Sequence, residues 1–290
     1  MLGAADGVVM SATLSSGVLG VLGLLIGSFL SVVVTRLPVM LQRQWAREAG
    51  QDLATRHTAT DQLPERFNLA VPGSRAPCCG ATLRWQQNIP LLSYALQGGR
   101  CAHCAAPIPL LYPGLELCTA LVFAACGAKF GASWTALMWC GFGAALLALA
   151  CIDWQTTLLP DAITLPLLWA GLIAAALGLS TTSLSYALWG AVAGYLSLWL
   201  VYWGFKLATG KEGMGYGDFK LFAALGAWLG WPLLIPIILL SSVVGAVVGI
   251  AMKFTVGLRE GGVLPFGPFL AGAGLLAVLL GPDQLLRWVM

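Results

Sequence analysis

Long apolar runs broken by glycine, proline and charge fill most of the chain, and one extended polar interval falls early, between Arg36 and Pro109. The runs predict helices near residues 11 to 35, 111 to 128, 133 to 152, 162 to 179, 184 to 207, 219 to 231, 233 to 253 and 265 to 281. The sixth is short, and Trp231-Pro232 either ends or kinks it, because proline removes a helical N–H and clashes with the preceding turn. No internal repeat of fixed period is evident.

The fold class read from this pattern is an all-α polytopic membrane protein of about eight transmembrane helices, with a cytosolic insert between the first and second. Residues 1–35 are expected to form the first helix, 36–110 the insert and 111–290 the remaining membrane domain. Composition agrees: of 290 residues, 59% are hydrophobic and 9% charged, more apolar than a soluble core of this length requires. The first run follows Asp6 with no Lys or Arg before it, and its length and basic flank at Arg36 favour a retained helix over a cleaved signal. A net charge of +3, with no interleaving of arginine and aromatic residues, argues against a nucleic-acid partner.

Positive residues are retained on the cytoplasmic side. With eight spans and Arg36, Arg43, Arg47, Arg56, Arg66, Arg75, Arg84 and Arg100 in a cytosolic insert, Lys206, Lys211, Lys220, Lys253 and Arg259 also fall inside. Lys129 and Arg287 then lie outside, as do both termini. The same count puts Asp153, Asp161 and Asp218 at the cytoplasmic ends of spans, although they are far apart in sequence.

Acids at membrane depth are functional candidates by default. Asp218 closes the run Gly213-Met214-Gly215-Tyr216-Gly217-Asp218, and Asp153 ends an apolar segment. Two adjacent carboxyl groups cannot both ionise freely, so one can act as base toward water while the other donates to a peptide carbonyl. The glycines before Asp218 would let an extended peptide approach the backbone. The plainer reading makes Asp218 the N-cap of the following helix and Asp161 the N-cap of the fourth span. Asp153 resists that reading, because it stands at the negative end of a helix dipole.

Cysteines give a second signal. Cys101-Ala102-His103-Cys104 is one C-x-x-C knuckle, and Cys78-Cys79 lie upstream in the same insert. Paired knuckles suit a structural zinc ion. The adjacent upstream pair is a poor chelating geometry, which leaves three thiolates with His103 or water as an alternative. A disulfide does not persist in the cytosol. Cys118, Cys126, Cys140 and Cys151 lie in apolar runs and read as small buried hydrophobes. Glu116, inside the second span, must be paired, protonated or exposed to water, and His57 sits in the most polar part of the insert as a solvated side chain.

Taken together, several segments resemble the bacterial type IV prepilin leader peptidases, aspartic proteases of the GxGD type that also N-methylate their product. The segments are Gly27-Ser28-Phe29-Leu30, Arg36-Leu37-Pro38, Asn88 through Tyr94, Asp153 through Asp161, Gly215-Tyr216-Gly217-Asp218 and Pro265-Phe266-Gly267-Pro268, and they span nearly the whole chain. The resemblance implies catalytic aspartates at Asp153 and Asp218, with Asp161 in the accompanying Leu-Pro-Asp element. It implies cleavage after a glycine ending a short basic leader of prepilins and pseudopilins, at the cytoplasmic face of the bacterial inner membrane. Methyl transfer from S-adenosylmethionine to the new amino terminus would follow, with Gly99 and Arg100 at positions associated with that step.

The resemblance also implies zinc ligation by Cys79, Cys101 and Cys104. Here Ala76-Pro77-Cys78-Cys79 stands where the family has Cys-Pro-x-Cys, so Cys78 is the substitute for the fourth ligand. Ser31 stands where the family commonly has asparagine. Two other classes share some of these features. A proton-coupled transporter also uses broken helices and intramembrane acids, though near the midplane and between related halves. A membrane methyltransferase with structural aspartates would retain the cysteine module alone.

Overall fold

A computed structural model describes residues 11–50, 64, 66–211, 213–255, 264–281, 284 and 287. Arg56, His57 and Arg259, and Asp6 with most of both termini, lie outside the described residues. The described chain is helical: α1 (Ala12–Glu48), α2 (Leu92–Leu96), α3 (Leu111–Phe130), α4 (Trp134–Thr156), α5 (Asp161–Ala176), α6 (Leu184–Thr209), α7 (Tyr216–Leu229), α8 (Leu234–Thr255) and α9 (Gly267–Leu280). Five helical segments are long and apolar enough to cross a membrane: α1, α3, α4, α6 and Trp231–Thr255, which is α8 with the turn before it.

Each apolar run folds into a helix, and the boundaries follow local chemistry. Ser11, Ser133 and Ser183 cap α1, α4 and α6 by accepting from the N–H groups of Leu14, Ala136 and Tyr186. The break at Trp231-Pro232 is real. Helix α7 stops at Leu229, Gly230 turns the chain at φ +81°, and a 3-10 turn over Trp231–Leu233 leads into α8. The first helix differs from expectation: α1 runs past residue 35, through Pro38, to Glu48. Arg36 explains the overrun, since its guanidinium donates to the carbonyls of Asn68, Pro72 and Gly73 and ties the polar insert against the extended helix.

Two helix pairs approach closely through small residues, as apolar bundles in membranes commonly do. Helices α1 and α3 meet at Gly23 and Gly27, where an added Cβ would lie 2.7 Å from Ala120 Cα and 2.6 Å from Glu116 Cα respectively. Helices α6 and α7 meet at Gly190 and Gly226, each facing the other's backbone carbonyl. Helix α7 is buried on nearly every side from Asp218 to Leu229, which fits a segment apolar all round. Trp228 near its far end donates from Nε1 to Leu167 O of α5 at 2.8 Å and packs against Trp139 and Phe142.

At one end of the bundle α4 finishes and α5, α7 and α9 begin. At the opposite end Lys129, in the last turn of α3, donates to Val278 O of α9 at 2.7 Å. Helix α3 therefore starts, and the apolar part of α1 finishes, at the same end as the termini of α4, α5, α7 and α9.

The insert contains a short repeat that the sequence pattern had hidden. Antiparallel bridges Arg75–Thr82 and Arg100–Pro107 close two matching turns. In both, one backbone N–H reaches forward five residues (Ala76 to Ala81 O, Cys101 to Ala106 O) and another reaches back four (Gly80 to Ala76 O, Ala105 to Cys101 O). Ala76 thus occupies the place of Cys101, and Cys79 that of Cys104.

The glycine contact between α6 and α7 gives a direct test. Gly226→Ala should destabilise the purified protein by about 1–3 kcal/mol through forced separation of two backbones. Gly272→Ala, where an added Cβ meets nothing within 4 Å, should leave thermal unfolding in detergent unchanged or slightly raised.

Candidate functional site

Asp153 and Asp218 arrive from helices distant in sequence and end in one buried place. Asp153 lies in the last turn of α4 and is 4% exposed; Asp218 is the third residue of α7 and is 7% exposed. Each lies within the electrostatic range of the other. Neither Asp218 nor Asp161 is an N-cap, contrary to the simplest expectation, because α7 is capped by Gly215 and α5 by Pro160, which moves both acids into the first turn.

The first turn of a helix still favours an anion, through its unpaired N–H groups and dipole. Asp153 has the reverse problem at the end of α4, and α9 solves it. The backbone N–H of Gly267, the first residue of α9, donates to Asp153 Oδ2 at 2.9 Å. That approach requires glycine: a Cβ at residue 267 would sit 2.6 Å from the same carboxylate oxygen. Gly217 is pressed in the same way, with its Cβ position 2.6 Å from Leu159 Cβ. Asp218 Oδ1 is buried without a hydrogen-bond partner. A buried carboxylate oxygen left open in this way is suited to a water or substrate polar group.

Asp161 stands apart from this pair. Both of its oxygens accept from Lys220 Nζ at 2.7 Å, in an ion pair linking the first turns of α5 and α7. The pair is largely exposed and contributes little stability. Its effect is positional, since it holds Lys220, two residues beyond Asp218, on Asp161.

The insert brings Cys78, Cys79, Cys101 and Cys104 together, with all four Sγ atoms within 4.8 Å of one another. The expected poor geometry of the adjacent pair is overturned, and His103 is outside the cluster. Cys78 Sγ lies 3.1 Å from Cys104 Sγ and Cys79 Sγ lies 3.9 Å from Cys101 Sγ. A tetrahedral zinc ion with four thiolates needs sulfurs about 3.8 Å apart, so the donor set fits one. Backbone N–H groups of His103 and Cys104 hold the Cys101 thiol down to about 6, while its hydrogen bond with Cys104 pushes Cys78 up to about 12.

Gly99 (φ +71°) and Arg100 form the turn leading into the second knuckle, and Arg100 is exposed. Near them a cavity of about 180 Å³ opens between the middle of α1, the start of α3 and the insert, lined by Ser28, Arg36, Tyr94, Tyr112 and Glu116 among others. Glu116 accepts from Leu91 N at 2.9 Å. Gly267 and the pairing of Asp161 with Lys220 escaped sequence reasoning. Gly267 carried a signal in the Pro-Phe-Gly-Pro segment before the last apolar run; the ion pair carried none.

The profile described as the type IV leader peptidase family matches residues 140–250, which hold both buried aspartates. That described as the bacterial peptidase A24 N-terminal domain matches residues 21–130. The chain belongs to the type IV leader peptidase family. A relative from Pseudomonas aeruginosa named prepilin leader peptidase/N-methyltransferase is 51% identical over 271 residues, covering 92% of this chain and 90% of that protein. Relatives of the same name from Burkholderia pseudomallei (strain 1026b) and Aeromonas hydrophila are 50% and 48% identical over 261 and 267 residues. These alignments cover 90% and 92% of this chain, and 84% and 91% of the relatives. No solved structure matches the chain.

The thiol cluster predicts a measurable metal content. Elemental analysis of purified protein should find about one zinc per chain, and Cys78→Ser should lower it as strongly as Cys101→Ser if the displaced cysteine supplies the fourth ligand.

Proposed function

We propose that the chain is a membrane-embedded aspartic endopeptidase and N-methyltransferase acting on prepilins and pseudopilins, with Asp153 and Asp218 as its cleaving pair. The observation that carries the peptidase mechanism is the burial of two carboxyl groups from distant helices in one site, one of them with an open oxygen. With one proton between them, one carboxylate takes a proton from water as its oxygen attacks the scissile carbonyl carbon. The other carboxyl group donates to the carbonyl oxygen. When the tetrahedral carbon collapses, the C–N bond breaks and the leaving nitrogen takes a proton from the pair. The Gly267 N–H keeps Asp153 Oδ2 fixed throughout, and Gly215 and Gly217 leave room for an extended peptide segment beside Asp218.

We take the eight apolar helices as eight spans. Helices α5, α7 and α9 have 16, 14 and 14 residues. At about 1.5 Å per residue the two shortest reach about 21 Å, less than the hydrocarbon thickness of about 30 Å. All three begin at the end of the bundle that carries the aspartates, so the site is recessed below the membrane surface. Arginine in the insert supports its placement in the cytosol, with residues 1–35 as the first span, 36–110 as the insert and 111–290 as the peptidase domain. Both termini then face the periplasm of a bacterial inner-membrane protein. A basic leader held in the cytosol would meet the aspartates from that side.

S-adenosylmethionine supplies the methyl group for the second reaction. The cysteine module, with zinc as a structural ion, shapes the surface where that reaction takes place. Membership of a leader peptidase family leaves the transporter reading without support.

Asp153→Asn and Asp218→Asn keep side-chain size but remove the shared proton. Each should reduce cleavage of a leader-bearing prepilin by about 10³-fold or more, with an unchanged thermal transition. Normal cleavage by either variant would end the mechanism. Gly267→Ala should cost about 100-fold by displacing Asp153, measured in the same gel-shift assay.

A further inference from the structure

We infer that Glu116 receives the new amino terminus left by cleavage and removes its proton, which readies that nitrogen for methylation. This rests on the dual activity proposed above.

Glu116 sits in an apolar helix at the level of the bundle end that carries the aspartates, an expensive place for an acid. Among the described residues it is the only acidic side chain lining the 180 Å³ cavity. Its partners are neutral donors: the Leu91 N–H at 2.9 Å and the Ser28 hydroxyl. Leu91 holds φ +56°, a conformation that a bulky residue keeps only when its surroundings enforce it. Two arginines among the described residues line the cavity: Arg36 is occupied by three backbone carbonyls, and Arg75 forms no ion pair with Glu116. A carboxylate has about four acceptor sites, so Glu116 retains acceptor capacity toward the cavity with no protein cation matched to it. A small cationic group fits that vacancy in charge and size.

Gly99 supplies an independent link. An added Cβ there would lie 2.9 Å from Tyr94 Oη and 3.1 Å from Tyr94 Cζ, and Tyr94 lines the same cavity as Glu116. Gly99, which the resemblance associates with methyl transfer, thus packs against the Tyr94 ring that lines this cavity, where a larger residue would displace it. The volume is below that of pockets enclosing a whole cofactor-sized ligand, roughly 300–1,000 Å³. It suits the reacting ends, an amino terminus and a methyl group, and not the whole of either molecule.

The chemistry requires such a base. A terminal amine has a pKa of about 8, so the new amino terminus is mostly an ammonium at neutral pH and has no lone pair. Glu116 takes one proton; the freed lone pair forms the N–C bond to the sulfonium methyl. The C–S electron pair stays on sulfur, which becomes a neutral thioether, and the methylated nitrogen carries the positive charge.

The test compares wild type, E116Q and E116D in full-length protein with a leader-bearing prepilin and radiolabelled S-adenosylmethionine. E116Q keeps an acceptor for Leu91. It should cleave within about twofold of wild type, bind S-adenosylmethionine normally in equilibrium dialysis, and transfer methyl about 100-fold more slowly. The same defect should persist on a pre-cleaved peptide that bypasses proteolysis, and E116D should recover part of the rate. Wild-type methylation by E116Q overturns the assignment. Lost S-adenosylmethionine binding also overturns it, by making Glu116 a donor-binding residue, and loss of cleavage overturns it by making Glu116 structural. Failure of the aspartate mechanism would appear separately, as cleavage surviving in D218N.

Discussion

Two carboxyl groups buried in an apolar bundle set the terms for the rest of the molecule, because each needs polar compensation that lipid and aliphatic side chains cannot give. Asp218 is placed in the first turn of its own helix, where unpaired N–H groups favour negative charge. Asp153 is at the wrong end of α4 for that help and borrows it from α9 through Gly267. Helices α4, α7 and α9 must therefore end and begin together, and the residue at the meeting point must lack a side chain. Helix α5 joins them because the Asp161–Lys220 pair ties its first turn to that of α7.

Position within the bundle depends on the glycine contacts between helices. The α6–α7 contact at Gly190 and Gly226 and the Trp228–Leu167 hydrogen bond fix α7 along its length, which aims Asp218. The α1–α3 contact at Gly23 and Gly27 does the same for a second region. There Ser28 and Glu116 face the cavity under the cysteine module. One glycine-locked pair thus carries one of the two buried aspartates, and the other carries the cavity proposed for methyl transfer. Both open at one end of the molecule, so a peptide cut at the first need not cross the bundle to reach the second.

The apolar runs were enough to place the helices, since burial and lipid contact both select continuous hydrophobicity. What the sequence concealed was contact between distant residues. The overrun of α1 depends on Arg36 reaching residues 68 to 73, and the compensation of Asp153 comes from 114 positions away. The N-cap readings of Asp161 and Asp218 failed because Pro160 and Gly215 serve as cap positions, which a preference for polar caps does not anticipate. Glu116 was visible as an acid inside an apolar run, but its contact with the Leu91 N–H, 25 positions away, was not.

The cysteine module shows how a site can survive the loss of one ligand position. Two turns of matching hydrogen-bond pattern would place ligands at residues 76, 79, 101 and 104, yet residue 76 is a buried alanine. Cys78, two residues along, brings its sulfur to the other three, so adjacency with Cys79 does not prevent a four-sulfur cluster. The substitute differs in its surroundings. Cys101 receives backbone N–H groups that favour its thiolate, whereas Cys78 shares a proton with Cys104 and resists ionisation. A metal ion bound by the four sulfurs would displace their protons. Such an ion would tie the two turns of the insert together, and with them the wall of the cavity lined by Cys78 and Cys101.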